Sequence, residues 1–279
     1  EQITYRGGKI HEILISDELN EIINKLWKNK KELSPLDKDI VWRYQKDLQR
    51  VRKLPKEHVE EIERAMNEAN FKWKEAKGKS NFSIFAPHLD KLIELKKKEA
   101  QLIDPKLHPY EVFLYNFEEG MTIKELKEVF EGLRKGLIEI LNNVKSSKKY
   151  KSSQIQRNPL EGINLPKEKQ LEVIKEITAR LIPESNKYYI AESAHGFTTG
   201  LGPDDARFTT NYKNKEIGGA FMTAIHEAGH ALHFLQLGDD LKRTILSGGK
   251  QFGLAESQSR IIENQIGRSR EFWSYCFPV

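Results

Sequence analysis

Apolar residues recur at i, i+3, i+4 and i+7 over long stretches of the chain, the spacing of amphipathic helices. Ser34-Pro35 supplies a cap and a first-turn proline for one helix, predicted to run to about Leu54. Pro55 opens another, to about Lys77, where Gly78 stops it. Asn81 caps a third, from Phe82 to about Leu102. Thr122 with Glu125 forms a capping-box pattern for a fourth, to about Val144. Pro166 begins a fifth, to about Leu181. Between the last two, the Ser- and Lys-rich stretch Lys145 to Gln156 reads as a mobile loop.

The pattern changes from Lys187 to Lys213, where Tyr, Phe, Thr and Gly dominate. Tyr188 to Ile190 and Arg207 to Thr210 read as short strands, with Gly200 to Asp205 as a turn. Helical spacing returns from Ile217 to about Leu237 and from Leu254 to about Ile266. The expected fold class is mainly α, with a small β ribbon beside the helix that begins at Ile217. Residues 1–186 form a helical N-terminal region and residues 187–279 a second region, within one continuous domain.

Composition narrows the classes. The 279 residues carry a net charge of +5, with 31% charged residues. Basic and acidic side chains interleave, as in Lys91-Leu92-Ile93-Glu94, so they read as solvated helix faces, and no nucleic-acid motif appears. No run approaches the roughly 18 apolar residues of a membrane helix. No signal peptide is recognisable at the start, and the expected location is cytoplasmic. Cys276 is the single cysteine, which excludes an intramolecular disulfide and a thiolate metal cluster. The chain starts at Glu1 and ends in the aromatic, apolar run Phe272 to Val279. Both ends suggest a fragment, or a half whose partner is a separate polypeptide.

Candidate chemistry lies in His226-Glu227-Ala228-Gly229-His230. On a helix, residues four apart share a face, so both imidazoles can reach one ion. Glu227 points one step round from them and is placed to take a proton from a water at that ion. Two histidines at this spacing also occur as ordinary packing residues. The apolar flanks, Phe221 to Ile225 and Ala231 to Leu235, instead suit a buried helix built around a site. Gly229 lowers helix propensity and so calls for a close neighbour. Such a site takes three protein ligands. Glu256 lies on the next helical segment, after a Gly-rich connection that lets the chain turn back. Ser259 and Glu263 fall on the same face as Glu256, where either can hydrogen-bond a ligand histidine.

These residues resemble the carboxypeptidase Taq-type metallocarboxypeptidases. Ile225 to Leu232 is similar to that family's metal helix. Glu256-Ser257-Gln258-Ser259-Arg260, Glu263-Asn264 and Gly267-Arg268-Ser269 are similar to its third-ligand helix. His195-Gly196-Phe197 resembles its His-Pro-Phe motif, and Asp205-Ala206-Arg207-Phe208-Thr209 its Asp-x-Arg-x-Thr motif. Two positions depart: Gly196 stands where the family usually has proline, and Ala255 where it usually has histidine.

The resemblance implies a helical metallopeptidase fold holding one divalent ion, zinc or cobalt, through His226, His230 and Glu256. Glu227 is then the catalytic base. His195, Phe197 and Arg207 line the substrate site, with Asp205, Ser259 and Glu263 as supporting residues. The implied reaction releases single residues from peptides with a free C-terminus, and the implied assembly is a homodimer. The alternatives are an oligopeptidase with the same ligands, or an inert metal-binding half of a split enzyme awaiting a C-terminal half. The family's roughly 500-residue length would place further substrate-binding groups beyond residue 279.

Overall fold

The computed structural model describes residues 2–153, 162–213, 217–248 and 251–278. It forms two compact units: residues 1–116 with 244–248, and residues 117–243 with 249–279. Each is mainly helical, as the apolar spacing predicts.

The first unit is built from α1 (Gln2–Ile15), α2 (Asp17–Lys28), α3 (Pro35–Val51), α4 (Lys56–Lys79), α5 (Ala86–Ile103) and most of α6 (Pro109–Phe117). Ser34 caps α3 through the backbone N–H of Asp37, and Pro35 sits in its first turn. Asn81 caps only a single 3-10 turn, Phe82–Ile84. The helix expected from Phe82 therefore starts later, at Ala86, where Pro87 favours a first turn. Ile23, Val41 and Leu48 make one small core, and Ile62, Ala65 and Leu95 another.

His58 on α4 is buried, and neither ring nitrogen meets a hydrogen-bond partner among the described residues. Burial holds its pKa below the ordinary 6.5, with Glu99 and Glu61 opposing the shift and Lys98 and Lys96 adding to it. The unfolded chain therefore binds this proton at a higher pH than the folded one. His58 costs no stability above about pH 6.5 and removes stability as the pH falls from there towards its folded pKa. Urea midpoints measured from pH 7 to pH 5 should fall less steeply for His58→Leu than for the parent chain.

The second unit holds α7 (Ile123–Ser146), α8 (Lys148–Ser153), α9 (Lys167–Leu181), strands β1 (Tyr188–Glu192), β2 (Thr198–Gly202) and β3 (Asp205–Thr210), α10 (Ile217–Leu235), α11 (Phe252–Arg260), a π-helical turn (Ile261–Ile266) and α12 (Arg270–Cys276). Both bonds of the expected capping box form at the start of α7. No described side chain of α7 is buried, and Val129, Phe130, Leu133, Leu137, Ile140 and Val144 form an exposed apolar stripe along it.

The loop expected from Lys145 is helical where it is described. Ser147 ends α7 and its hydroxyl accepts from the Tyr150 N–H at 3.1 Å, starting α8 at once. Serine acts here as a cap between two helices, and lysine tolerates both. Residues 154–156 of that stretch lie outside the described residues.

The expected ribbon is a three-stranded sheet in the order β1-β3-β2, with β1 parallel and β2 antiparallel to β3. Gly200 to Gly202, expected in a turn, belong to β2, and the turn shrinks to Pro203-Asp204. A side chain at Gly200 would run into the Phe234 ring, so this glycine serves close packing of the strand rather than chain reversal. Ala206 and Phe208 of β3 are fully buried against Ala228 and Ala231 of α10. Ile225 of α10 packs with Ile177, Phe272 and Cys276. The terminal aromatic run is thus partly internal, through α12.

Candidate metal centre

α10 is apolar enough to be buried on most of its circumference, with Ala224, Ile225, Ala228, Gly229 and Ala231 all inaccessible. Its remaining face presents His226 and His230. α11 packs directly on it, and the two come close at Gly229, where a β-carbon would stand 2.8 Å from the Cα of Ser259. This contact supplies the close neighbour that Gly229 requires. It brings Glu256, one turn before Ser259, to the two histidines.

The His226 Nε2 lies 3.7 Å from Glu256 Oε1, and the His230 Nε2 lies 3.4 Å from Glu256 Oε2. One ligand atom from each of the three residues falls within 4.8 Å of the others. A tetrahedral ion bound at about 2.0–2.1 Å sets its ligand atoms about 3.3–3.5 Å apart. The donor types and the spacing therefore fit one divalent ion. Burial lowers the pKa of His230, favouring the neutral imidazole that metal binding needs.

Glu263 accepts from the His226 Nδ1–H at 3.0 Å, which turns Nε2 towards Glu256. Its carboxylate is buried and also accepts from Arg260 at 3.1 Å and from Arg268 at 2.6 Å. Desolvation of Glu263 raises its pKa, yet the bonds from Arg268 and His226 and the charge of Arg260 outweigh it and leave it lowered. Arg260 also donates to Glu256 Oε1 at 2.8 Å. Ser259, the other candidate for bonding a ligand histidine, is fully buried and donates to the backbone oxygen of Glu256 at 2.8 Å. Its hydroxyl is committed within its own helix, because it sits at the crossing with Gly229.

Glu227 is buried, with only 6% of its surface accessible. Sequence reasoning missed its partner: the Thr198 hydroxyl lies 2.7 Å from Oε2 and 3.0 Å from the Glu227 backbone oxygen. Thr198 follows the His195-Gly196-Phe197 motif directly, and that adjacency was the available signal. His195 and Phe197 are themselves exposed, while Gly196 between them is buried against Glu227. The motif is held in place where the Phe197 carbonyl accepts from the Thr209 N–H at 3.0 Å.

Arg207 and Asp205 are not brought to the histidines. They pair with each other at 2.9 Å, half exposed, on the face of β3 opposite Ala206 and Phe208. Strand alternation puts them there, since the even positions pack on α10.

The model of the carboxypeptidase Taq (M32) metallopeptidase family matches residues 1–279. The chain belongs to the carboxypeptidase Taq (M32) metallopeptidase family. It is 34% identical over 275 residues to carboxypeptidase 1 of Bacillus subtilis (strain 168), covering 98% of this chain and 54% of that protein. It is 33% identical to thermostable carboxypeptidase 1 of Pyrococcus furiosus, covering 96% of this chain and 53% of the relative. Among solved structures, the BsuCP crystal structure matches with a TM-score of 0.90 at 32% identity, over 99% of this chain and 56% of that one. The M32 carboxypeptidase of Deinococcus radiodurans R1 matches with a TM-score of 0.78 at 27% identity, over 96% of this chain and 54% of that one. The chain thus spans about half the length of the M32 relatives it matches.

Glycine at 196, where the resemblance led to an expectation of proline, suits its surroundings. At Gly196 a β-carbon would lie 2.4 Å from Thr223 Cγ2 and 3.1 Å from Glu227 Oε1. Thr223 fills the room that a larger residue at 196 would need. Gly196→Ala is therefore expected to lower stability by about 1–3 kcal/mol. Thr223→Ser deletes the offending methyl and should recover part of that loss in the double variant, since the Thr209 backbone oxygen at 3.1 Å stays in place, as read by urea denaturation of all four proteins.

Proposed function

We propose that this chain carries the metal centre of a metal-dependent carboxypeptidase. The observation behind it is the convergence of His226, His230 and Glu256 on one point, beside a buried Glu227. The same reading takes one zinc or cobalt ion, held by these three residues. It treats residues 187–279 as the catalytic region, since every proposed ligand lies there. A bound ion would supply Lewis-acid polarisation of the scissile carbonyl and acidify a water.

The chain's own residues do the rest. Glu227 takes the proton of that water and delivers it to the leaving amine. Thr198 holds the Glu227 carboxylate, so the base meets the water in one orientation. Glu263 keeps His226 in the tautomer whose Nε2 is free to coordinate. His195 and Phe197, exposed beside Gly196, are proposed to contact the peptide. Arg207 is a weaker candidate, because Asp205 already occupies its guanidinium. The substrates are peptides with a free C-terminus, the setting is cytoplasmic, and the assembly is a homodimer. No helix among the described residues is long and apolar enough to cross a membrane.

The test is metal content and peptide cleavage on one preparation. The purified chain, loaded with zinc or cobalt and desalted, should hold one equivalent. It should release the C-terminal residue from an N-blocked peptide and leave the C-terminally amidated peptide intact. Cleavage of both peptides would replace the carboxypeptidase with an oligopeptidase, and absence of bound metal would remove the centre altogether. A second reading rests on the half-length match to the relatives: the chain binds metal but turns over substrate only together with a C-terminal half. One bound equivalent without turnover, followed by turnover on co-expression with such a half, would favour it.

A further inference from the structure

α11, which carries Glu256, lacks a cap of its own, since Gln251 makes no side-chain bond to its first turn. The cap comes from far away in sequence. The Glu118 carboxylate accepts the backbone N–H of Gly253, a hydrogen bond spanning 135 residues of chain. Two further contacts reinforce it. Glu118 forms an antiparallel β-bridge with Gln251, and the Phe117 ring lies 5.0 Å from that of Phe252. At Gly253 a β-carbon would stand 2.7 Å from Glu118 Oε1, so the glycine leaves the room that the carboxylate occupies. A carboxylate at this end also meets the positive pole of the helix dipole.

We propose that Glu118 is a positioning residue for the metal centre, pinning the first turn of α11 and so setting where Glu256 stands. The proposal rests on Glu256 being a ligand, as read above. Gly253 and Glu256 are three residues apart, about one helical turn, so a shift at Gly253 passes to Glu256. The Glu256 side chain is 45% exposed, and besides the two histidines its carboxylate meets Arg260, at 2.8 Å. Its placement therefore depends on the placement of its helix. The histidines sit on α10 and do not depend on Glu118, so loss of the clamp should affect one ligand of the three.

A double-mutant cycle read by zinc affinity tests this, with chelator competition as the measurement and no need for turnover. Glu118→Ala should weaken zinc binding by about tenfold in the parent chain. In a Glu256→Gln background the same change should alter zinc affinity by less than about twofold, because Glu118 acts through Glu256. An equal loss in both backgrounds would mean general loosening of the unit and would overturn the proposal. So would unchanged affinity in the parent background. If Glu118→Ala fails to fold, Glu118→Gln keeps an acceptor and loses the charge. A weakening of about two- to fivefold, confined to the Glu256 background, then supports the clamp, and unchanged affinity overturns it. Failure of the metal-centre reading looks different, since the parent chain itself would then bind no zinc.

Discussion

Glu227→Gln is expected to leave one equivalent of metal bound and to lower kcat by about 10²- to 10⁴-fold, the range over which positioned general bases contribute. The substitution is nearly isosteric, and Glu227 is buried, so shape and packing are kept. Thr198 can still donate to the amide oxygen of Gln at the place where it now meets Oε2. The three proposed ligands are untouched. What disappears is the capacity to accept a proton, because an amide oxygen is far too weak a base at neutral pH. The measurement is kcat with metal content on the same preparation, in whichever form of the protein turns over. A Gln variant that keeps more than a tenth of parental kcat with full metal would remove Glu227 from the role of base. A variant that lost metal as well would show that its carboxylate supports the ligands rather than the water.

The helices that sequence reading located well are those whose signals are local. The capping box at Thr122 and Glu125, the cap and proline at Ser34-Pro35, and the i, i+4 histidines of α10 each lie within five residues of chain. Glu263 was also legible, because it stands seven residues after Glu256 on one face, and it does reach His226. The second helical segment was expected to be regular to Ile266, whereas Ile261–Ile266 is a π-helical turn. Gly267, directly after it, closes against Ile225 of α10, where a β-carbon would lie 2.8 Å from Ile225 Cγ2.

The rest was illegible because it depends on partners distant in sequence. Thr198 meets Glu227 across 29 residues and Glu118 meets Gly253 across 135. Neither leaves a periodic trace. Strand β2 was hidden by its two glycines, which read as turn formers until Phe234 is seen lying over Gly200. Ser259 and Glu263 were equivalent from spacing alone. Only the burial of Ser259 at the helix crossing separates a hydroxyl bonded to its own backbone from a carboxylate bonded to a histidine.

Gly229→Ala gives the second large effect, and its sign is opposite to the one helix propensity assigns. Alanine in place of glycine in a helix interior ordinarily stabilises by about 0.8–1.0 kcal/mol. Here the added methyl would stand 2.8 Å from the Cα of Ser259, 3.2 Å from Ile262 Cβ and 3.3 Å from the Gln258 backbone oxygen. The nearest of these is backbone, which cannot swing aside as a flexible side chain can. Relief requires α11 to move away from α10, and overpacking of this kind costs about 1–3 kcal/mol. The variant should therefore unfold at lower urea than the parent chain, by up to about 2 kcal/mol net in the metal-free state. The same displacement carries Glu256 away from His226 and His230, which now stand 3.7 and 3.4 Å from its oxygens. Zinc affinity should fall by about tenfold as well, the scale on which misplaced supporting groups affect a metal site. Urea unfolding without metal and chelator competition with zinc check the two effects separately. An alanine variant more stable than the parent and equally tight for zinc would show that the two helices have room to spare and that their closeness does not place the third ligand. A variant destabilised but unchanged in zinc affinity would confine the role of Gly229 to packing.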